Sequence, residues 1–500
     1  MTSTDNDGDA SRPVVAWLRD DLRLDDNPVL AEAAASGRPV VVAYLLDDVS
    51  DGLRPLGGAS RWWLHRSLAA LDGALRGIGV GLTLRRGAAA IEIPRLLGEV
   101  GASRLILARR PGAAEARIDR AVEAAARARG IPTTICPSNL LREPEEVATA
   151  AGTPFRVFTP YWRAARLVRP PRPAVPAPHR LDGPRTAPAS DRLDDWRLLP
   201  RGPDWSGGLA ATWTPGEAGA RARLVRFVEH GLSGYATLRD RPDLDHTSRL
   251  AAHLRFGEIS VMRVAAAVEA AVHAGRASAA DGDKFLAELG WREFAHHLLH
   301  WFPDLATANF QPTFDAFPWR EDAGFVAAWR RGETGYPLVD AGMRELWTTG
   351  TMHNRVRMVA ASFLIKHGLI DWRVGEAWFH DTLVDACPAN NPAGWQWVAG
   401  SGADAAPFFR IFNPVAQGEK FDPDGTYVRR FVPEIAGLPT RAIHAPWTAS
   451  PTERAAAGVR LGETCPKPIV DHAAARARAL AAHARIGRGA ADEQRQLDLL

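Results

Sequence analysis

Between Pro13 and Cys136 short apolar runs alternate with amphipathic stretches. The runs Val14–Leu18, Pro39–Leu45, Leu82–Arg85, Arg104–Ala108 and Thr133–Cys136 are four to seven residues long and rich in Val, Ile or Leu, which predicts strands. Leu64, Leu68, Leu71 and Leu75 keep the four-three-four spacing of one helix face, and Ile91–Val100 and Ala113–Ala128 also read as helices. Five strands separated by helices predict an α/β fold over 13–140, a doubly wound parallel sheet covered on both faces.

A long linker is expected over 141–212, Pro-rich at 168–190, where Pro170-Pro171-Arg172-Pro173 forbids helix interiors and favours an extended tether. In Trp213-Thr214-Pro215-Gly216-Glu217, Thr214 is read as a helix cap with Pro215 in the first turn. Strand patterns nearly vanish beyond it. Helices are predicted at Glu217–Gly231, Ser260–Ala274, Asp283–Trp301, Pro337–Thr349, Asn354–His367 and Trp372–Leu383, an all-α domain over 213–450. The Ala/Arg-rich tail, 451–500, reads as one more helix without recognisable chemistry.

Five hundred residues, 46% hydrophobic and 24% charged, suit two or three globular domains. The net charge of +3 leaves any nucleic-acid binding to a local patch. The basic residues are almost all arginine, which a coding bias explains as well as phosphate recognition does. Cys136, Cys387 and Cys465 lie far apart without a CxxC spacing, so a reducing, cytoplasmic setting is expected, with neither disulfides nor structural zinc. The polar, acidic start and the lack of any run near the ~20 apolar residues of a membrane helix make export or membrane insertion unexpected. Seventeen Trp beside five Tyr is the unusual feature.

After the first predicted strand stands Arg19-Asp20-Asp21-Leu22-Arg23, not a glycine fingerprint. Gly77, Gly79 and Gly81 precede a strand and read as a turn, and no Walker A sequence occurs. Gly234-Tyr235-Ala236-Thr237-Leu238-Arg239-Asp240 and His246-Thr247-Ser248-Arg249-Leu250 place hydroxyls and arginines beside a helix start, where N–H groups cradle phosphate; a helix cap with a surface Arg is the alternative. Glu288, Trp291 and Arg292 share one helix face and suit a flat heteroaromatic with polar edges, or a Trp packed inward with its charges reaching out. In Met352-His353-Asn354-Arg355-Val356-Arg357-Met358, Asn suits base edges, Arg phosphate or carboxylate, and Met irregular rings, while His353 reads as a core residue. No metal-ligand spacing accompanies it, and no metal is expected. Asp385-Ala386-Cys387-Pro388-Ala389-Asn390-Asn391, with Trp395-Gln396-Trp397, reads as a Gly/Pro-rich loop whose aromatics stack on single bases, although a structural Trp pair stays open.

In this order the segments resemble the photolyase and cryptochrome family from about Val14 to Trp447. The match runs from Trp17-Leu18-Arg19-Asp20-Asp21-Leu22-Arg23-Leu24 through Thr247-Ser248-Arg249-Leu250, Trp291-Arg292-Glu293-Phe294, Gly335-Tyr336-Pro337-Leu338-Val339-Asp340-Ala341 and Met352-His353-Asn354-Arg355 to Ile411-Phe412-Asn413-Pro414. The resemblance implies an α/β antenna domain joined by a long linker to an all-α FAD-binding domain. It implies that Tyr235, Thr247, Ser248, Arg249 and Leu250 hold the FAD phosphates, that Asp385 and Arg357 flank the isoalloxazine ring, and that Asn391 faces flavin N5. Cys387 stands where the family has a second Asp.

Glu288, Trp291, Asn354, Met358 and Trp397 match the pocket of cyclobutane-type enzymes, without the histidine pair expected of the 6-4 type. Asn391-Pro392-Ala393-Gly394-Trp395 looks closer to the class III branch than to class I. The implied activity is light-driven electron donation from reduced FAD to a flipped-out pyrimidine dimer in damaged DNA. Trp291 and Trp397 are expected to stack on the dimer, Glu288 to share a proton with its carbonyl edge, and Asn354 to hold the other edge. Trp395, Trp372 and Trp319 match the chain that re-reduces flavin, and Arg239, Arg292 and Arg355 are the expected DNA contacts. A folate antenna, methenyltetrahydrofolate in preference to a deazaflavin, is expected at Glu115-Ala116-Arg117-Ile118-Asp119, and a monomer is expected. A photosensory cryptochrome is the main rival and a light-independent damage-binding module the third; the filled dimer pocket and short tail speak against signalling.

Overall fold

In the computed structural model, residues 11–404 and 409–497 are described. The strands β1 (Val14–Leu18), β2 (Val40–Leu46), β3 (Leu82–Arg86), β4 (Arg104–Ala108) and β5 (Thr133–Cys136) form one parallel sheet in the order β3-β2-β1-β4-β5. Val14 pairs with Val40 on one side and with Arg104 on the other. Alternate side chains enter opposite cores: Val14, Ala16 and Leu18 pack with Trp62, Trp63 and Leu64 of helix Gly58–Gly77, while Val15 and Trp17 pack with Ile93, Leu97 and Val122. β2 starts one residue later than its apolar run because Pro39 has no N–H to donate; its carbonyl instead accepts from Val14 N at 2.8 Å.

The helices that bear on the site are α1 (Phe158–Leu167), α2 (Ala279–Trp301), α3 (Asn354–Ser362), α4 (Trp372–Thr382), α5 (Asn390–Ala399) and α6 (His472–Leu497). α2 begins four residues before its expected start because the Ser278 hydroxyl accepts from Asp281 N and caps it. The helix expected at Asn354–His367 is α3 continued by a π-helical turn, Phe363–His367.

Two readings are corrected. Thr214 is not a cap: helix Glu217–Arg226 is preceded by Gly216 at φ +104°, a left-handed turn that leaves Thr214-Pro215 outside. The segment holding Trp395 and Trp397 is helix α5 rather than a loop, since Pro392 falls in the first turn, where its missing N–H costs nothing. The tail forms the expected helix, α6, and its Ala479, Ala482 and Ile486 share a core with Phe314, Phe317 and Leu369.

The compact units are also cut differently from the division read along the chain. One comprises residues 1–233, 248–303 and 384–386; the other comprises 234–247, 304–383 and 387–500. The first unit takes the helical stretch 248–303 because buried polar groups tie it to the α/β layers. The Trp63 indole donates to Glu258 at 2.9 Å, Arg23 to the Gly257 carbonyl at 2.9 Å, and Leu141 N to Glu293 at 2.6 Å. The Pro-rich stretch has neither helix nor strand, yet it is bound to the same unit: Val40 N donates to Asp182 O and Asp26 N to Val175 O. Among the described residues no helix is long and apolar enough to cross a membrane.

Candidate functional site

The first unit holds Ser248, Arg249, Leu250, Glu288, Trp291, Arg292 and Asp385. Arg249 has φ +51°, a left-handed conformation costing a non-glycine residue about 1–2 kcal/mol, next to a Ser248 hydroxyl that accepts from Leu250 N at 3.3 Å. Strain at a hydroxyl-rich loop before helix Ala251–Arg255 singles it out, and sequence spacing did not show it. On α2, Glu288 lies 3.3 Å from Lys284 and one turn from the half-buried Trp291. Arg292 donates to Glu293 at 2.9 Å and is largely buried, so a phosphate contact there has to compete with an ion pair already made. The Ala386 carbonyl, beside Asp385, accepts from Arg255 at 3.1 Å.

The carboxyl ends of β1 and β4, where doubly wound sheets take ligands, are braced by charge. Buried Asp119 accepts from Arg19 at 3.0 Å and from Arg110 at 2.6 Å, and burial pulls the Arg19 pKa down to about 10. Glu115, in the first turn of helix Ala113–Arg127, is half-buried, and its backbone carbonyl also accepts from Arg110 at 3.4 Å.

The second unit holds Tyr235, Arg239, Thr247, Asn354, Arg355, Arg357, Met358, Asn391, Trp319, Trp372, Trp395 and Trp397. Tyr235 is buried, and the Arg239 guanidinium lies 5.6 Å from its ring centroid. Asn354 and Met358, one turn apart on α3, come together, the amide Nδ2 lying 3.9 Å from Sδ. Arg355 pairs with Asp240 at 2.6 Å and covers Phe421, while Arg357 donates to the Met352 carbonyl at 2.7 Å. Trp395 is buried on α5 edge-on to Phe379, with centroids 4.9 Å apart, and to Trp329 at 6.1 Å. Trp372 is buried and donates to Asn309 at 2.9 Å; Trp319 is half-buried against Phe317 at 4.3 Å; Trp397 donates to the Asp404 carbonyl at 3.1 Å.

Two residues that motif reading passed over fix this geometry. Gln396, fully buried between Trp395 and Trp397, donates to the Leu305 and Ala308 carbonyls at 2.7 and 2.9 Å and accepts from Phe310 N at 2.8 Å. Glu376, also buried, accepts from Asn391 Nδ2 at 2.8 Å, and its backbone carbonyl does so at 3.0 Å. A carboxylate and a carbonyl only accept, so both point to the amide nitrogen and Asn391 presents its Oδ1 elsewhere. No sequence signal marks them, since a Gln or Glu within a helical pattern reads as an exposed polar position and only the fold buries it.

His353 caps α3, its Nδ1 accepting from Arg355 N at 3.2 Å, and burial pulls its pKa down to about 4. The unfolded chain takes a proton near pH 6.5 while the folded chain resists until about 4, so this stability is present above pH 6.5 and lost as pH falls through that window. His353→Asn keeps a capping acceptor and is expected to remove about one proton from the acid side of a melting-temperature against pH profile; an unchanged slope contradicts this. Among the described residues no group of three or more His, Cys, Asp or Glu side chains is placed to hold a metal.

The family model for DNA photolyase matches residues 14–179, and that for the FAD binding domain of DNA photolyase matches 285–485. A deoxyribodipyrimidine photo-lyase of Agrobacterium fabrum is 49% identical over 474 residues, covering 95% of this chain and 98% of that one. Cryptochrome-1 of Arabidopsis thaliana is 36% identical, covering 93% of this chain and 69% of the relative. A crystal structure of a bacterial class III photolyase from Agrobacterium tumefaciens superposes with a TM-score of 0.93 at 48% identity, covering 97% of this chain and 99% of that one. With the same parallel sheet, the same helical FAD-binding region and matches along almost its whole length, the chain belongs to the photolyase and cryptochrome family.

Proposed function

We propose that the protein is a light-driven deoxyribodipyrimidine photolyase that splits cyclobutane pyrimidine dimers in DNA. The observation that carries this reading is the face of α2 that sets the Glu288 carboxylate one turn from the half-buried Trp291, a polar edge beside an aromatic platform. Stacking on such a platform is worth about 1–3 kcal/mol per base, and flipping a base out costs least where the duplex is already damaged. Trp291 and Trp397 stack on the lesion, Glu288 shares a proton with its carbonyl edge, and Asn354, steadied by Met358, holds the other edge. Arg239, Arg292 and Arg355 serve the DNA backbone, phosphate competing at the last two with the ion pairs to Glu293 and Asp240.

The residues present fit FAD. Tyr235, Thr247, Ser248, Arg249 and Leu250 hold its phosphates, Arg357 and Asp385 flank the ring, and Asn391 offers an acceptor because Glu376 occupies its donor side. When bound and reduced, FAD supplies the electron that opens the dimer under light. Trp395, Trp372 and Trp319 carry electrons inward to keep it reduced. Methenyltetrahydrofolate, rather than a deazaflavin, is the antenna we assign to the Glu115 region; mass spectrometry of extracted chromophore that finds deazaflavin in a folate-producing host overturns that assignment.

Cys387 marks this chain's own flavin contact. Its buried thiol accepts from Asn390 Nδ2 at 3.4 Å, a weak bond where a carboxylate makes one roughly twice as strong. Cys387→Asp is expected to raise FAD content and the holoprotein's melting temperature. Equal or lower values would mean that the added charge is desolvated without gain.

The test of the function is a dimer-containing oligonucleotide incubated with reduced holoprotein in darkness and under blue light. Repair confined to light supports the enzyme. Light absorption without dimer loss would favour signalling, and dark binding without photochemistry a damage-recognition module.

A further inference from the structure

Helix α1 lies in the 141–212 stretch that sequence reads as linker, and it supplies aromatic rings to α2. Phe158 stacks face to face on Trp291, centroids 3.8 Å apart and planes within 8°. Trp162 continues the row one turn on, 6.5 Å from Phe158 and 11° from parallel. Gly290 gives it room, since a Cβ there would stand 2.7 Å from the Trp162 ring. Phe294 closes the edge, 6.1 Å from Phe158 and 6.0 Å from Trp291, both roughly T-shaped. A Trp on a helix surface has several staggered rotamers, and ordering it on binding weakens affinity. The Phe158 face leaves Trp291 one plane, with part of the ring still accessible.

We propose that Phe158 is a positioning residue for lesion recognition, holding the Trp291 indole in its stacking plane before the dimer arrives; this rests on the reading of Trp291 as the dimer's platform. The linker then has a part in binding beyond joining domains. The test is the dark affinity of FAD-loaded protein for dimer-containing and undamaged oligonucleotides, in a double-mutant cycle of Phe158→Leu with Trp291→Ala. Phe158→Leu is expected to weaken dimer binding about five-fold, the effect of freeing one side chain, with undamaged DNA unaffected. Phe158→Tyr, which keeps a flat ring, restores the affinity. In the Trp291→Ala background Phe158→Leu has no further effect, because both act through one ring. Additive losses, or a Phe158→Leu protein that binds dimer normally while Trp291→Ala does not, overturn the proposal. Unchanged binding by Trp291→Ala itself instead overturns the platform reading on which it rests. FAD content checks folding, and Phe158→Met replaces Phe158→Leu in the cycle if the latter does not retain FAD.

Discussion

Trp395→Phe is expected to cut photoreduction of bound FAD, with an external thiol as donor, by at least about tenfold, while chemically pre-reduced enzyme still repairs dimers. Trp395 lies in the core, with Phe379 and Trp329 edge-on to its ring and Gly375 of α4 directly against it, so the smaller ring fills the site incompletely. That costs roughly 1–3 kcal/mol of stability, a loss that leaves most of the protein folded. On the proposed function the electron path is then lost, because Phe is much harder to oxidise than Trp. Trp372, inside the same unit and fixed by its bond to Asn309, is expected to behave likewise on substitution with Phe. Photoreduction at the unmodified rate in Trp395→Phe would mean that electrons enter by another route.

The second large effect is steric. A Cβ on Gly375 would lie 2.1 Å from one Trp395 ring carbon, 2.4 Å from the next and 2.6 Å from the Leu364 Cδ2 atom. Separations that short force the ring to move, and Phe379 and Trp329 leave it no room. Overpacking usually costs about 1–3 kcal/mol, and here it also displaces the helix bearing Asn391. Gly375→Ala is therefore expected to lower the melting temperature by several degrees and to reduce FAD content together. Thermal unfolding and absorbance of the purified variant check both; a melting temperature within a degree of the parent would contradict the packing described.

Much of this was legible along the chain, and what was not has a common cause. β1 and β4 have the ends that their apolar runs mark, because a parallel strand buried on both faces must be apolar throughout and its sequence shows it directly, whereas β5, at the sheet edge with Ile135 exposed, matches its run without that cause. The long helices were legible from spacing, and α2 differed only at its capped start. Trp395-Gln396-Trp397 reads as loop because Pro392 and Gly394 look like breakers, while Gln396, whose buried side chain pins the helix through three hydrogen bonds, looks like an ordinary polar residue. The unit boundaries were illegible for a related reason: whether 248–303 belongs with the sheet depends on Glu258 meeting Trp63 and Glu293 meeting Leu141, partners 195 and 152 residues away. Local pattern carries no trace of such pairings. At the candidate site, motif order nominates residues, but it does not show that Arg292 and Arg355 are already paired, nor that Glu376 decides which way the Asn391 amide faces.

The most direct test of light-driven dimer repair is a flash experiment. Reduced holoprotein is mixed in darkness with an oligonucleotide containing one cyclobutane dimer, and restored pyrimidines are counted after each blue flash. The proposed function predicts no repair before the first flash and a rise with flash number, strongly diminished by Trp291→Ala at limiting enzyme. Repair that proceeds equally in darkness, or none after saturating flashes with FAD bound and reduced, would contradict it.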